Sequence, residues 1–298
     1  MSGTAVNSPS EHLMNSPLIS VATLQSWVAA QRPLVLFDTS FDLMDPHKGP
    51  NGYAEVHIAG ARYANLNEVL SAHSAEEAVN GGRHPLPRRE IFAKWLGLQG
   101  VANDTDVVVY DRNGVNYAGR LWWMLRWCGH SNVKVLDGGL QAWVAAGGAT
   151  ASGPTPAAQA TAYLLRPSLA DLRLTTDVVA KLGQAGQTIL DARATPRFKG
   201  EVEPMDPVAG HIPGALNRPF AMNIGADGLF KPASQLREEF ETLLAGRDPA
   251  TVVHHCGSGV SAVPNILAME VAGLGSTALY AGSWSEWCTT PGLPCAKG

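Results

Sequence analysis

The sequence has little that points to a disulfide scaffold, a membrane span or a nucleic-acid surface. Its 298 residues contain only four cysteines and no C-x-x-C pair, so neither a disulfide framework nor a zinc signature is present. Lys and Arg (22) are outnumbered by Asp and Glu (26), and the net charge of −4 argues against sequence-independent nucleic-acid binding. No apolar run reaches the roughly 18 residues of a transmembrane helix. We therefore expect no metal, no nucleic-acid partner and no membrane.

The N-terminus and the cysteine count bear on location. Residues 1–20 have neither the basic region nor the apolar region of a secretory signal. Few cysteines without a disulfide framework are typical of proteins from reducing compartments. We therefore expect a cytoplasmic protein in which each cysteine is either a small core residue or a reactive thiol.

The two halves of the chain repeat each other. The recurring landmarks are Asp38 and Asp191 after an apolar run, His57 and His211 in an H-I-x-G-A motif, Val115 and Val260 after a turn, and Trp143 and Trp287 in a closing motif. The paired positions are 153 and 154 residues apart at the first two landmarks and 145 and 144 apart at the last two. The sequence therefore predicts a duplicated domain with a net insertion of nine residues in the first copy.

Each copy alternates apolar, strand-like runs with helical patterns that stop near glycine. The runs lack polar alternation, which is typical of parallel sheets buried on both faces. We therefore predict an α/β fold with two tandem domains, 17–146 and 163–298, each a parallel sheet flanked by helices. Residues 147–162 are rich in Gly, Ala, Thr and Pro and are predicted to be a linker.

The aligned turns differ in a way that points to chemistry. The first-copy strand ends at Asp111 and continues R-N-G-V-N, whereas the second-copy strand ends at Cys256 and continues G-S-G-V-S. Gly257 and Gly259 allow the chain to curl, so that successive backbone N–H groups converge on the sulfur. A helix from Ala262 adds the positive end of its dipole, and both effects favour the nucleophilic thiolate. Cys256 is therefore predicted to be a reactive cysteine.

The remaining cysteines have plainer interpretations. Cys128 lies in a tryptophan-rich helical stretch and is predicted to be a core residue. Cys288 and Cys295 lie in a tail rich in Pro and Gly, where they are either surface bystanders or thiols open to oxidation. The letters H-H-C end the strand, but neighbours on a strand point to opposite faces, so the three side chains cannot ligate one metal ion.

Two arginines follow the Asp191 strand end in the second copy only. The stretch D-A-R-A-T-P-R-F contains Arg193 and Arg197, and the first copy has no arginine at the matching place. Because the carboxyl ends of parallel strands lie at one edge of a sheet, these arginines come to the same edge as Cys256. They are therefore predicted to bind an anionic substrate.

These motifs resemble those of the rhodanese superfamily over nearly the whole chain. The shared motifs are C-G-S-G-V at Cys256, D-A-R-x-x-x-R-F from Asp191, G-H-I-P-G-A from Gly210 and G-S-W-S-E-W from Gly282. The resemblance implies two tandem rhodanese-like domains, of which only the second is catalytic. The C-G-S-G-V loop is similar to that of 3-mercaptopyruvate sulfurtransferases, whereas thiosulfate-preferring members typically have C-R-K-G-V.

The resemblance implies sulfur transfer without a cofactor. The Cys256 thiolate attacks the sulfur of a small anionic donor and forms a persulfide, while pyruvate leaves. The outer sulfur then passes to a thiol acceptor such as thioredoxin, or to cyanide. Arg197 grips the donor carboxylate with its planar guanidinium, and Arg193 is a further candidate for binding. The loop residues implied in holding the anionic sulfur are Gly257, Gly259, Val260 and Ser261.

Family members also use a serine, a histidine and an aspartate beside the cysteine. Ser258 and His84 match the first two, and His84 lies in the interval that carries the insertion. The aspartate position is taken by Asn67, which can orient a histidine but cannot stabilise its charged form. A second family arginine, in an E-P-R segment, is replaced by Met205, and this leaves the preference between mercaptopyruvate and thiosulfate open.

Three other functions compete with this interpretation. A phosphatase with a similar cysteine loop needs one more loop residue and an arginine at the sixth position after the cysteine, where this chain has Ala262. Thiosulfate:cyanide sulfurtransferase is the main alternative, because Met205 removes a family arginine. A non-enzymatic binding module would fit the first copy, which has Asp111 in place of the cysteine, but not the second.

Overall fold

The first domain contains a five-stranded parallel sheet. The computed structural model of the chain describes residues 16–298, so most of the stretch that lacks secretory-signal features lies outside the described residues. In spatial order the strands are β1 (Leu18–Ile19), β6 (Val133–Leu136), β5 (Asp106–Tyr110), β2 (Leu34–Asp38) and β4 (Arg62–Tyr63). The helices are α1 (Val21–Ala29), α2 (Lys48–Glu55), α3 (Arg89–Leu98), α4 (Ala118–Trp127) and α5 (Gly139–Ala145).

The second domain repeats this arrangement. Its parallel sheet runs β8 (Asp171–Arg173), β12 (Ala278–Tyr280), β11 (Val252–His255), β9 (Thr188–Asp191) and β10 (Leu216–Asn217). Its helices are α6 (Thr175–Ala180), α7 (Thr195–Lys199), α8 (Ala233–Leu244), α9 (Val263–Val271) and α10 (Ser283–Trp287). The two sheets have the same strand order, which confirms the predicted α/β fold with two tandem domains. No helix within residues 16–298 is long and apolar enough to cross a membrane.

The segment predicted to be a linker runs along the first domain. Its short strand β7 (Thr150–Ala151) pairs antiparallel with β3 (His57–Ile58). Further along, Thr155 Oγ1 donates to the carbonyl of Ala61, and the N–H of Thr161 donates to the carbonyl of Gly97. These hydrogen bonds attach residues 150–161 to the first domain. The domain boundaries at 146 and 163 stay a prediction.

The two domains share one apolar core. A continuous cluster of buried side chains extends from the first sheet through α4 and α9 to the second sheet, and two smaller clusters cover the outer faces. Where the two helices approach, a Cβ atom built on Gly119 would lie 3.2 Å from Cγ1 of Val263. Because such a core is close-packed, it fixes how the first domain is seated on the second.

One strand carries a buried histidine without polar partners. His254 lies in β11 and is fully buried, and neither of its ring nitrogens has a hydrogen-bond partner. Burial is the larger cause and the charge of the neighbouring His255 the smaller one that together lower the pKa of His254 to about 3. His255 points to the other face, where its Nε2 lies 3.5 Å from Asp191 Oδ2. The folded protein therefore holds His254 neutral at a pH where the unfolded chain protonates it.

The free energy of unfolding is expected to fall as the pH drops below 6.5. With a folded pKa of about 3 and an unfolded pKa of 6.5, His254 alone removes about 2 kcal/mol between pH 6.5 and pH 5. His254→Leu should remove that share of the pH dependence, as measured by urea unfolding at pH 5 and pH 7.5. The exposed His47→Gln serves as the control, and equal pH dependence in the wild type and His254→Leu would contradict the prediction.

Candidate active site

Cys256 lies at the carboxyl end of the central strand β11 and is only 2% exposed. The start of α10 fixes the backbone of Cys256 with two hydrogen bonds and that of Gly257 with a third. The N–H of Cys256 donates to Ser283 Oγ at 3.1 Å, and the N–H of Trp284 donates back to the carbonyl of Cys256 at 3.0 Å. The N–H of Ser285 donates to the carbonyl of Gly257 at 2.9 Å. The G-S-W-S-E-W motif therefore holds the backbone of Cys256 and Gly257 in place.

This clamp stores backbone strain at Ser283. The residue is fully buried and has a φ of +56°, a left-handed conformation that side chains rarely adopt. Its hydroxyl compensates by donating to the carbonyl of Tyr280 at 3.0 Å while it accepts from Cys256. The matching residue of the first copy, Gly139, has the same φ of +56° without a side chain. The second copy thus accepts strain in exchange for a hydroxyl that holds Cys256.

The loop after Cys256 presents unpaired backbone amides. Within the part of the chain that the structure describes, the N–H groups of residues 257–261 donate to no protein acceptor. Gly259 has a φ of +74°, and a Cβ atom there would collide with the carbonyl oxygen of Ala281. Only glycine therefore permits the curl that turns these amides inward. Helix α9 follows from Val263 and directs its positive end toward the same loop.

The first copy shows what such a loop binds. The carboxylate of Asp111, which occupies the position of Cys256, accepts hydrogen bonds from four backbone N–H groups at 2.8 to 3.0 Å. The donors are Asn113, Val115, Tyr117 and Ala118, and their second-copy counterparts are Ser258, Val260, Ala262 and Val263. Of these counterparts, Val263 already donates to the carbonyl of Val260. The loop geometry therefore accommodates a carboxyl group as hydrogen-bond acceptor, and the first copy fills it with its own side chain.

Two of the three family positions beside the cysteine come together. His84 Nδ1 lies 2.7 Å from Ser258 Oγ, so a histidine of the first domain contacts the loop of the second. Burial, then the charges of Arg120 and Arg83, lower the pKa of His84 to about 3, and its ring is neutral at physiological pH. Asn67 is exposed, and within residues 16–298 its side chain makes no hydrogen bond to His84. The structure therefore forms a Ser–His pair without the asparagine.

The two predicted substrate arginines are placed differently. Arg197 is partly exposed, and it donates to Glu203 at 2.7 Å and to Asp206 at 3.2 Å. Arg193 is buried, binds Asp191 through Nε and Nη2 and also donates to the carbonyl of Gly210. Its guanidinium also stacks over Trp284 at 4.8 Å. Arg197 therefore keeps part of its guanidinium exposed, whereas Arg193 is bound to the end of β9.

Sequence reasoning missed two first-domain arginines at this site. Arg120 of α4 is fully buried and donates to the carbonyls of Gly259, His84 and Leu70 at 3.1, 2.9 and 3.0 Å. No carboxylate pairs with it among the described residues, so its charge is uncompensated next to the loop. Arg83 precedes His84 and pairs with Asp206 at 2.7 Å. A charged residue inside the tryptophan-rich pattern of α4 was the available signal for Arg120.

The other three cysteines differ in burial. Burial raises the pKa of both Cys128 and Cys288 to about 11, so these thiols stay protonated at neutral pH. Cys295 is exposed, and burial of part of its side chain raises its pKa as well. Across residues 16–298, no three His, Cys, Asp or Glu side chains form a group that could hold a metal ion.

The structure is thus a tandem α/β protein in which an amide-lined loop surrounds a cysteine and arginines of both domains flank that loop. The chain belongs to the rhodanese family, because the family model for the Rhodanese-like domain matches residues 20–146 and 174–290. Each matched segment contains four of the five strands of one sheet. The family assignment therefore agrees with the duplication seen in the sequence.

Relatives named for two different sulfur donors match most of the chain. A Pseudomonas aeruginosa protein named "Probable 3-mercaptopyruvate sulfurtransferase" is 46% identical over 89% of this chain and 93% of the relative. Thiosulfate sulfurtransferase of Gallus gallus is 33% identical over 91% of this chain and 92% of the relative. The solved 3-mercaptopyruvate sulfurtransferase from Leishmania major has a TM-score of 0.81 at 29% identity and covers 97% of this chain and 78% of that one.

Replacing Ser283 should separate strain from hydrogen bonding. Ser283→Ala and Ser283→Gly both lose the hydroxyl, which lowers the free energy of unfolding by about 1–3 kcal/mol. The positive φ is unfavourable for alanine but not for glycine. Ser283→Ala should therefore be about 1 kcal/mol less stable than Ser283→Gly in urea unfolding. Gln31 is exposed with a φ of +52°, so Gln31→Ala and Gln31→Gly calibrate the backbone effect alone. Equal stability of the two Ser283 variants would refute the assignment of strain.

Proposed function

We propose that the protein is a sulfurtransferase that moves sulfur from 3-mercaptopyruvate through a persulfide on Cys256 to a thiol acceptor. The observation that carries the proposal is the buried cysteine in a loop whose amides have no protein acceptor, next to the partly exposed guanidinium of Arg197. The names of the relatives support the same reaction. No step of this chemistry requires a metal or an organic cofactor.

In the first half-reaction the Cys256 thiolate attacks the sulfur of the donor. The new S–S bond forms as the C–S bond of the donor breaks, and the bonding electrons of the C–S bond pass to carbon as the enolate of pyruvate. The enolate takes a proton from water, and pyruvate leaves. Cys256 then carries a persulfide whose outer sulfur lies among the loop amides, where hydrogen bonds and the α9 dipole favour negative charge.

In the second half-reaction an acceptor thiolate attacks the outer sulfur. The S–S bond of the persulfide breaks, the Cys256 thiolate is restored, and the acceptor becomes a persulfide. With a dithiol such as thioredoxin, the second thiol then displaces sulfide and closes a disulfide, so the acceptor is oxidised as the transferred sulfur is reduced. Cyanide accepts the same sulfur to give thiocyanate.

Ser258 and His84 contribute to the donor side of the reaction. Because the His84 ring is neutral, its Nδ1–H can donate to Ser258 Oγ and direct the serine hydroxyl toward the donor. A hydroxyl that donates to the ketone oxygen stabilises the charge that develops there in the enolate. Asn67 takes no part in this arrangement.

The choice of 3-mercaptopyruvate over thiosulfate rests on charge. The loop positions that follow the cysteine are Gly257 and Ser258, so the loop itself offers no side-chain cation for the second charge of thiosulfate. The carboxylate of 3-mercaptopyruvate suits the forked donors of Arg197. Thiosulfate is the second candidate donor, because a relative with that name matches nearly the whole chain.

Cys256→Ser should abolish sulfur transfer, because serine cannot carry a persulfide. We expect no pyruvate release above background from 3-mercaptopyruvate, no gain of one sulfur atom in the intact mass, and an unfolding curve like that of the wild type. Cys288→Ser and Cys295→Ser are the matched controls and should retain turnover. Turnover by Cys256→Ser would rule out the proposed mechanism.

The donor preference should show in kcat/KM, the ratio that measures discrimination between substrates. We expect the ratio for 3-mercaptopyruvate to exceed that for thiosulfate by at least about tenfold, since one good charged contact is worth that factor. Both donors are measured on one preparation with the same acceptor. A higher ratio for thiosulfate would make the protein a thiosulfate sulfurtransferase.

A further inference from the structure

A second guanidinium stands beside Arg197 at the mouth of the loop. A Cβ atom built on Gly257 would lie 3.2 Å from Nη2 of Arg83 and 3.6 Å from Nη1 of Arg197. The two nitrogens are therefore at most about 7 Å apart, and both flank the residue that follows Cys256. Arg83 belongs to the first domain and Arg197 to the second, so two cations converge on the loop from opposite sides of the domain interface.

Arg83 is held in place from the second domain. Its Nη1 lies 2.7 Å from Oδ1 of Asp206, while the other oxygen of the same carboxylate is 3.2 Å from Nη2 of Arg197. The backbone N–H of Arg83 donates to Ser285 Oγ at 3.0 Å, within the motif that clamps Cys256. One carboxylate thus aligns both arginines before any substrate arrives, which reduces the ordering cost of binding.

Both guanidiniums keep donors that no protein group uses. Nη1 of Arg197 has no acceptor within residues 16–298, because its contacts to Glu203 and Asp206 are made by Nε and Nη2. Nε of Arg83 is buried and has no hydrogen-bond partner. A buried unpaired donor is costly unless a ligand satisfies it, and a carboxylate is the ligand that pairs of guanidinium donors prefer.

Arginines and carboxylates alternate around the loop. Asp206 is shared between Arg83 and Arg197, Glu203 pairs with Arg197, and Asp191 neutralises Arg193. The guanidinium of Arg120 lies next to the loop and donates only to backbone carbonyls, so within the described residues its positive charge has no carboxylate partner. The carboxylate of Glu286 approaches the same edge, where its Oε1 would lie 3.1 Å from a Cβ atom built on Gly81. A small anionic donor would therefore be held by the unused guanidinium donors and not by an excess of positive charge.

From this geometry we infer that Arg83 is a substrate-binding residue that holds the donor carboxylate together with Arg197. It supplies from the first domain the second cation that the rhodanese resemblance would place at Met205, a residue without charge. The inference rests on the proposed function for the identity of the donor. It assigns the first domain a direct part in choosing the substrate.

The test measures binding and turnover separately. In the Cys256→Ser background, Arg83→Met should weaken binding of 3-mercaptopyruvate by about 10- to 100-fold in calorimetry, the range for losing one charged hydrogen-bonding partner. In the active enzyme the same change should raise KM for 3-mercaptopyruvate by a similar factor. KM for mercaptoacetone, which has the same ketone and thiol but no carboxylate, should stay the same.

Moving the charge gives the decisive comparison. Met205→Arg added to Arg83→Met should restore most of the lost affinity for 3-mercaptopyruvate, whereas the neutral Met205→Gln should not. Arg126→Met is the matched control, since Arg126 also crosses the domain interface to a carboxylate, Glu270, and has a similar exposure of 22% against 26% for Arg83. If Arg83→Met does not fold, Arg83→Gln is examined by the same measurements.

The outcomes separate this inference from the proposed function. Equal losses for 3-mercaptopyruvate and mercaptoacetone, or no loss for either, would overturn the role of Arg83 even if the wild type is active. Absence of pyruvate release by the wild type would overturn the proposed function, while carboxylate binding by the Cys256→Ser protein would still report on Arg83. Loss confined to the carboxylate donor and rescue by Met205→Arg would support the inference.

Discussion

A loop of backbone N–H groups that the protein itself does not satisfy is the constraint on which the rest of the site depends. Buried amides without acceptors are unfavourable, so such a loop needs a hydrogen-bond acceptor. In the first domain that acceptor is the carboxyl group of Asp111, and the loop is closed on itself. In the second domain the same position holds Cys256, and the loop amides have no acceptor among the described residues. Gly259, Ser283 and Arg120 all serve to keep this loop in shape.

The two domains are needed together because the site lies on their shared interface. The apolar core that runs through α4 and α9 fixes one domain on the other. This packing brings Arg83, His84 and Arg120 of the first domain against the loop of the second. The two copies thus differ in what they contribute, since the second contains Cys256 and its loop and the first supplies the side chains packed against that loop.

Periodicity and repeat spacing predicted the architecture because they depend on local chain properties. The apolar runs and the offset between the copies predicted both sheets, the parallel direction of their strands and the place of Cys256 at a strand end. Side-chain partners were harder to predict. Arg193 and Arg197 lie in the same motif, and the sequence does not distinguish their partners. The structure shows Arg193 bound to Asp191 and Arg197 beside Gly257. The motif places Asn67 at the position of the family aspartate, but the residue is exposed to solvent in the fold.

The sequence by itself determined the duplicated α/β fold, the place of Cys256 at a strand end and the glycines that its loop requires, because each depends on residues close together in the chain. Only the tertiary structure decided which distant groups meet that cysteine. The His84–Ser258 contact joins residues 174 positions apart, and Arg83 reaches Asp206 across 123 positions. Such pairings follow from how two close-packed domains fit together, and that fit is a property of the whole core rather than of any local pattern.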